Sequence, residues 1–412
     1  MSQALKLAVL GGSGVATPEL IDVLTRSEDG PSLHVALIGR NADKLQAVAA
    51  MCKKLAAKSK PSITVSAHTD PRKGLEGADY VLNQIRVGGY QERAFDESFP
   101  REFGIPGEET VGPGGMNMAL RSIPTVIELC RVMEDIAPDA LLINLTNPSS
   151  IVQYAINRVT RVRVVSVCDL PMMAGQMIAE LLNVPRRELA VRYTGMNHFG
   201  WVTGVKRHDR DLMPEVLHQL TQVPGYPVDK EIIRALGVIP TSYFKYYYHA
   251  NRVLAAQQGK HTRADELLAL EAEILTAYQS PSGDEKPASL VQRNAAWYEH
   301  MVVPLLMAHA RNTGETLYLQ VANHRALPFL PAEAVVEVPC VVHQDGFLPQ
   351  AYDGGLPPDL ESLLLVNATF EMLWAEAILE QDHSKALRAT LMNHFIADYD
   401  QARGILDKIW PI

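Results

Sequence analysis

Cys168 and Asp169 close an apolar, β-branched run in VVSVCD, and Asn197 and His198 close a second one in TGMNHFGW. A thiolate and an imidazole suit a borderline transition metal, while the carboxylate and amide beside them can orient a substrate or move a proton. In open α/β folds ligands bind beyond the carboxyl ends of strands, which is where both pairs are expected. Taken singly, a buried structural cysteine and a satisfied polar histidine are the alternatives. Upstream, the stretch IRVGGYQERAFDESFPREFGIPGEETVGPGG holds Arg86, Arg93 and Arg101. A planar guanidinium fork matches phosphate oxygens, although pairing with the neighbouring Glu and Asp residues competes for it.

These residues need a scaffold, and the chain begins to build one with the apolar strand Leu5 to Leu10. Gly11, Gly12, Ser13 and Gly14 follow, then Thr17 and Pro18 at a helix start. Strand, glycine turn and helix in that order bring backbone N–H groups to a pyrophosphate, or simply make a tight turn. A second strand, Leu33 to Ile38, ends on Gly39, Arg40 and Asn41. An NAD unit ordinarily places an acid there for the ribose 2′-hydroxyl, whereas Arg40 suits a 2′-phosphate and keeps NADP open, with a solvated arginine as the alternative.

A helix is expected over Ala42 to Lys58, strands over Ile63 to Ala67 and Tyr80 to Ile85, and a helix over Met118 to Ile136. A strand over Ala140 to Leu145 then leads to Asn147 and Pro148. The Gly-, Pro- and charge-rich stretch after Ile85 reads as a loop. Strand alternating with helix implies an α/β fold with a Rossmann-like, doubly wound parallel sheet over residues 1–195. Beyond it, helical patterns around Tyr243, after Arg263 and before Asn312, strands at Leu317 to Val321 and Ala334 to Val342, and a helix over Leu360 to Leu379 imply a mostly helical α+β lobe, 196–412. The tyrosines at 243, 246, 247 and 248 read as packing.

A formal net charge of -9 and no Lys/Arg-rich run exclude a nucleic-acid-binding face. The four cysteines, at 52, 130, 168 and 340, show no paired spacing, so neither a disulfide framework nor a zinc knuckle is expected and a reducing cytoplasm fits. No leader pattern and no apolar run long enough to span a bilayer is evident, so neither secretion nor membrane insertion is expected.

Taken together and in this order, GGSGVATPEL, IRVGG, GEETVGPGG, NLTNPSS, VCDLP, GMNHFGW, TSYFKYYY and LPAEAVVEVPC resemble glycoside hydrolase family 4 over almost the whole chain. Within that family the resemblance is to the 6-phospho-glucosidases. It implies a cytoplasmic homodimer or homotetramer that hydrolyses a phosphorylated sugar with NAD and a divalent metal, usually manganese. It also implies an unusual route: hydride removal from C3, proton removal from C2, loss of the aglycone from C1, addition of water and return of the hydride.

Carried over by motif, Cys168 and His198 would hold the metal and Tyr243 would be the base at C2. Asp169 matches the acid of the α-specific branch, where β-specific members carry Asn, and the anomer stays open. Arg93, Asn147 and Arg263 would hold the 6-phosphate and neighbouring hydroxyls, with Arg86, Glu109 and Asn197 as further substrate contacts. Gly11, Gly12, Ser13, Gly14 and Arg40 would face the dinucleotide. The chain departs from the family at Gly39-Arg40, where an acid is usual, and at NHRALPFLP, which replaces a commoner NxGxIxNLP. Two other readings are a family hydrolase of an unphosphorylated hexoside or uronide, and a simple NAD(P)-dependent hydroxy acid dehydrogenase. The second leaves Cys168 and His198 without a purpose.

Overall fold

The computed structural model describes residues 4–27, 30–57, 62–280, 286–352 and 354–410. Lys58, the expected end of a helix, lies outside them; that helix is described over Ala42–Ala56. The chain forms two compact units, each assembled from three segments: 1–95, 121–167 and 261–311 in the first, 96–120, 168–260 and 312–412 in the second.

In the first unit β1 (Leu5–Leu10), β2 (Leu33–Ile38), β3 (Ile63–His68), β4 (Tyr80–Asn83), β5 (Leu141–Asn144) and β6 (Arg163–Ser166) lie in the order β6-β5-β4-β1-β2-β3, all parallel. This is the doubly wound order expected of a dinucleotide-binding sheet. Leu7, Val9, Val35, Leu37, Val81 and Ile143 are wholly buried, as continuous apolar strands covered on both faces must be. The helix Ala42–Ala56 is capped by the Asn41 side chain, and it buries Leu45, Val48, Cys52 and Leu55 at helical spacing.

The helices Arg263–Gln279 and Val303–Arg311, expected in the later lobe, belong with this sheet. Side chains in these helices and in the turn Tyr298–Val302 before the second explain why. Lys44 Nζ pairs with Glu271 at 2.6 Å, Tyr278 Oη donates to the Val15 carbonyl at 2.7 Å, and Tyr298 Oη donates to Gln84 at 2.7 Å.

The second unit carries an antiparallel sheet of β7 (Leu189–Met196), β8 (Phe199–Arg207), β9 (Arg210–Asp211), β10 (Ile239–Pro240), β11 (Thr316–Ala322), β12 (Val335–His343) and β13 (Gly346–Pro349). Its main path is β10-β8-β7-β12-β11, with β9 on β8 and β13 on β12. It is α+β as expected, with more sheet than the sequence pattern suggested.

The charged stretch after Ile85 is only partly a loop. It forms a helix over Gly89–Ser98, a 3₁₀ turn over Phe99–Phe103 and the start of a helix over Gly112–Ile136. Polar residues can be buried here because they find partners: Asp96, almost wholly buried, accepts from Asn117 Nδ2 at 2.8 Å. Gly114 permits the close turn, since a Cβ on it would stand 2.0 Å from the Glu108 carbonyl oxygen.

The helix Pro358–Glu380 corrects a second expectation, because it is long and apolar enough to cross a membrane by length and composition. Its environment is a protein core. Leu364, Phe370, Trp374 and Ile378 are buried, and Trp374 Nε1 donates to the Met116 carbonyl at 3.1 Å.

Candidate active site

The second unit gathers the residues that open the sequence argument. β7 and β8 form a hairpin whose two-residue turn is Asn197-His198, so His198 sits in a tight turn rather than past a parallel strand. Its φ of 61° puts a non-glycine residue in the left-handed region, a strained conformation of the kind found at functional sites. The imidazole is buried and stacks on the Tyr243 ring with centroids 4.0 Å apart and planes 10° from parallel.

Burial pushes the His198 pKa down to about 4, with the Glu109 carboxylate pulling the other way. The ring is therefore neutral at physiological pH. Its Nδ1 finds no hydrogen-bond partner among the described residues.

Cys168 precedes the helix Leu170–Leu182, and its sulfur receives the N–H groups of Leu170 and Asp169. Burial, Glu337 and Asp169 push the thiol well above its ordinary pKa, against the pull of those N–H groups. Tyr243 is half-buried at the start of the short helix Phe244–Tyr248. Burial and the Glu108 carboxylate raise its phenol, while a hydrogen bond with Thr110 acts in the opposite direction. Thr110 Oγ1 in turn donates to Glu108 at 2.9 Å. Cys168 lies within electrostatic reach of Tyr243, so thiol, imidazole and phenol form one buried group.

Glu337 is the residue that sequence reasoning missed. It faces Gly195 in the β12–β7 pair, is wholly buried, and accepts from Gln320 Nε2 at 2.9 Å. Burial raises its pKa to about 8, the Gln320 hydrogen bond working against this and the charges of Asp169 and Glu371 adding to it. A lone acid in the apolar run AVVEVPC was the available signal. Glu108 and Thr110 were also passed over, although Glu109 beside them was noted.

The remaining candidates belong to the first unit. Gly12 is required by packing, since a Cβ on it would stand 2.8 Å from the Ile38 nitrogen. The N–H groups of Ser13, Val15 and Ala16 make no hydrogen bond among the described residues, and Ala16 gives the helix Thr17–Thr25 no side-chain cap. A diphosphate supplies the acceptors such a turn lacks, so the residues fit a dinucleotide. Asn147 Oδ1 is buried without a partner among the described residues, before the helix Ser149–Val159. Arg86 lies over the Tyr90 ring at 5.7 Å, and Arg93 is half-buried in the helix Gly89–Ser98. Arg263 is exposed and pairs with Glu266 at 2.5 Å. Arg40 is exposed just past β2.

No group of three or more His, Cys, Asp and Glu side chains is arranged to hold a metal ion by itself among the described residues. Cys168 and His198 are two donors, and they leave the remaining coordination positions to substrate and water, as a catalytic ion requires. The unpartnered His198 nitrogen and the thiol–imidazole donor set fit a divalent transition ion.

Residues 6–184 match the model of the family 4 glycosyl hydrolases, and residues 193–396 match the model of that family's C-terminal domain. The chain belongs to glycosyl hydrolase family 4. A probable 6-phospho-beta-glucosidase of Bacillus subtilis is 31% identical over 99% of this chain and 96% of its own. The 6-phospho-beta-glucosidase of Thermotoga maritima, solved with manganese, NAD+ and glucose-6-phosphate, superposes with a TM-score of 0.90 at 25% identity, covering 98% of this chain and 97% of its own. A 6-phospho-alpha-glucosidase from gut microorganisms, solved with NAD and Mn2+, gives a TM-score of 0.86 at 26% identity, with coverage of 99% and 97%. Family 4 members named for either anomer are thus similar over nearly the full chain.

Proposed function

We propose that this family 4 hydrolase cleaves 6-phospho-glucosides in the cytoplasm, as a homo-oligomer, with a nicotinamide dinucleotide and a divalent cation. The observation that carries the reading is the buried group of Cys168, His198 and Tyr243 in a chain of this family. When bound, the dinucleotide would supply reversible hydride transfer at the sugar C3, whose ketone acidifies the C2 proton, and the cation would supply Lewis-acid stabilisation of the charge that develops.

Cys168 and His198 hold the cation, the first as thiolate and the second as neutral imidazole. Tyr243 takes the C2 proton. Burial and Glu108 keep its phenol protonated in the empty protein, so it acts as base only beside a cation. Asp169, next to Cys168, is placed in the sequence to protonate the leaving aglycone. Asn197 and Glu109 contact sugar hydroxyls. From the first unit, Arg86, Arg93, Asn147 and Arg263 recognise the 6-phosphate and its neighbours, and Gly11 to Gly14 receive the diphosphate.

The test is release of p-nitrophenol from α- and β-linked 6-phosphoglucosides, with and without manganese and dinucleotide. Turnover that needs manganese, dinucleotide and the 6-phosphate is expected, on one anomer. Equal turnover of unphosphorylated glucosides, or turnover indifferent to both cofactors, overturns the reading.

A further inference from the structure

We propose that the dinucleotide turn of this chain selects the 2′-phosphorylated cofactor, NADP, over NAD, and that Arg40 makes the selection. The proposal rests on the reading of the first unit as a dinucleotide site. In a doubly wound sheet the adenosine ribose lies at the carboxyl end of the second strand, where a carboxylate accepts from the 2′-hydroxyl and repels a 2′-phosphate. Here β2 ends in Gly39, Arg40 and Asn41, with no carboxylate among them.

The local packing brings that end against the glycine turn. Gly39 N–H donates to the His68 carbonyl at 3.1 Å, and a Cβ on Gly39 would stand 2.9 Å from both Cβ and Oγ of Ser13. Arg40 is therefore the first side chain beyond the contact between strand end and turn. Its position is fixed from the other side as well, because Asn41 Oδ1 accepts the Lys44 N–H at 2.9 Å and starts the next helix.

Arg40 is exposed, and among the described residues its guanidinium has no hydrogen-bond, ion-pair or ring partner. Two cations of the adjoining helices are committed elsewhere. Lys44 pairs with Glu271, and Arg72 pairs with Asp135. Asp70 accepts the Arg72 N–H at 2.9 Å, and Asp43 lies in the first turn of the helix Ala42–Ala56, where a negative charge favours the helix dipole. Ser13, half-exposed and without a partner among the described residues, adds a hydroxyl donor at the Gly39 strand end. A fork and a hydroxyl at one strand end are a phosphate receptor. Because the hydride returns to the sugar in every cycle, the 2′-phosphate alters binding and leaves the chemistry unchanged.

Calorimetric titration of the full-length protein with NADP+, NAD+ and 2′,5′-ADP tests this. The wild type is expected to bind NADP+ about tenfold or more tightly than NAD+, the range of one charge-assisted contact. Arg40→Ala should erase that preference while the NAD+ dissociation constant stays within about twofold, a change below the weight of one such contact. Arg40→Asp should reverse the preference, and 2′,5′-ADP should bind the wild type alone. Tighter NAD+ binding by the wild type, or equal weakening of both dinucleotides in Arg40→Ala, overturns the proposal. Failure of both dinucleotides to bind the wild type overturns the dinucleotide site itself and the preference with it.

Discussion

Replacing Glu337 by Gln should stabilise the second unit, and the gain should grow with pH. Glu337 is wholly buried, and its pKa rises from 4.5 in the unfolded chain to about 8 in the folded one. The sign follows from linkage. Below pH 4.5 both states are protonated and the group costs nothing; as pH rises towards 8 the unfolded state alone loses its proton, and folding is progressively penalised. Each pH unit inside this window costs about 1.4 kcal/mol, so the penalty at pH 7 is on the order of 3 kcal/mol. Gln keeps the oxygen that accepts from Gln320 and carries no charge.

His198 contributes the opposite slope, since its lowered pKa costs stability as pH falls from 6.5 to about 4. The two effects overlap, and the difference between wild type and Glu337→Gln isolates the carboxyl. Urea unfolding followed by tryptophan fluorescence, with Trp201 and Trp374 buried in this unit, should give nearly equal midpoints at pH 4.5 and a clear advantage for the variant at pH 7. A difference that stays flat across pH 5 to 8 would show that Glu337 titrates normally and refute the argument.

Cys168→Ser and His198→Ala should each abolish manganese-dependent turnover with circular dichroism unchanged; near-normal turnover after chelation and manganese add-back would remove them as ligands. Arg93→Ala should raise KM for the 6-phosphorylated substrate about ten- to a hundredfold, as loss of a charge-assisted contact worth about 1.5–3 kcal/mol requires, and leave the unphosphorylated analogue unaffected. Tyr243→Phe should lower kcat about 10²–10⁴-fold, the usual weight of a positioned base. In deuterium oxide the wild-type product should carry deuterium at C2, and full-rate turnover with C2 unexchanged would point to conventional hydrolysis.

The sequence by itself determined most strands of the first sheet, because they are largely apolar runs, as Leu5–Leu10 and Leu33–Ile38 are, each closed by a glycine. It also determined the family, since short motifs such as VCDLP and GMNHFGW are read along the chain without any folding. It did not determine which segments fold together. The helix Arg263–Gln279 follows the Tyr243 region in sequence yet joins the first unit, a choice made by long-range contacts such as Tyr278 with Val15 that periodicity cannot carry.

The helix in the charged stretch after Ile85 was hidden for the same reason. Composition records how polar Asp96 is and says nothing of Asn117, which satisfies it. Only the tertiary structure brought Glu337 within electrostatic reach of the Cys168 thiol and stacked His198 on Tyr243. The state of each ionisable group depends on what surrounds it, and burial decided that His198 is neutral while Glu337 holds its proton.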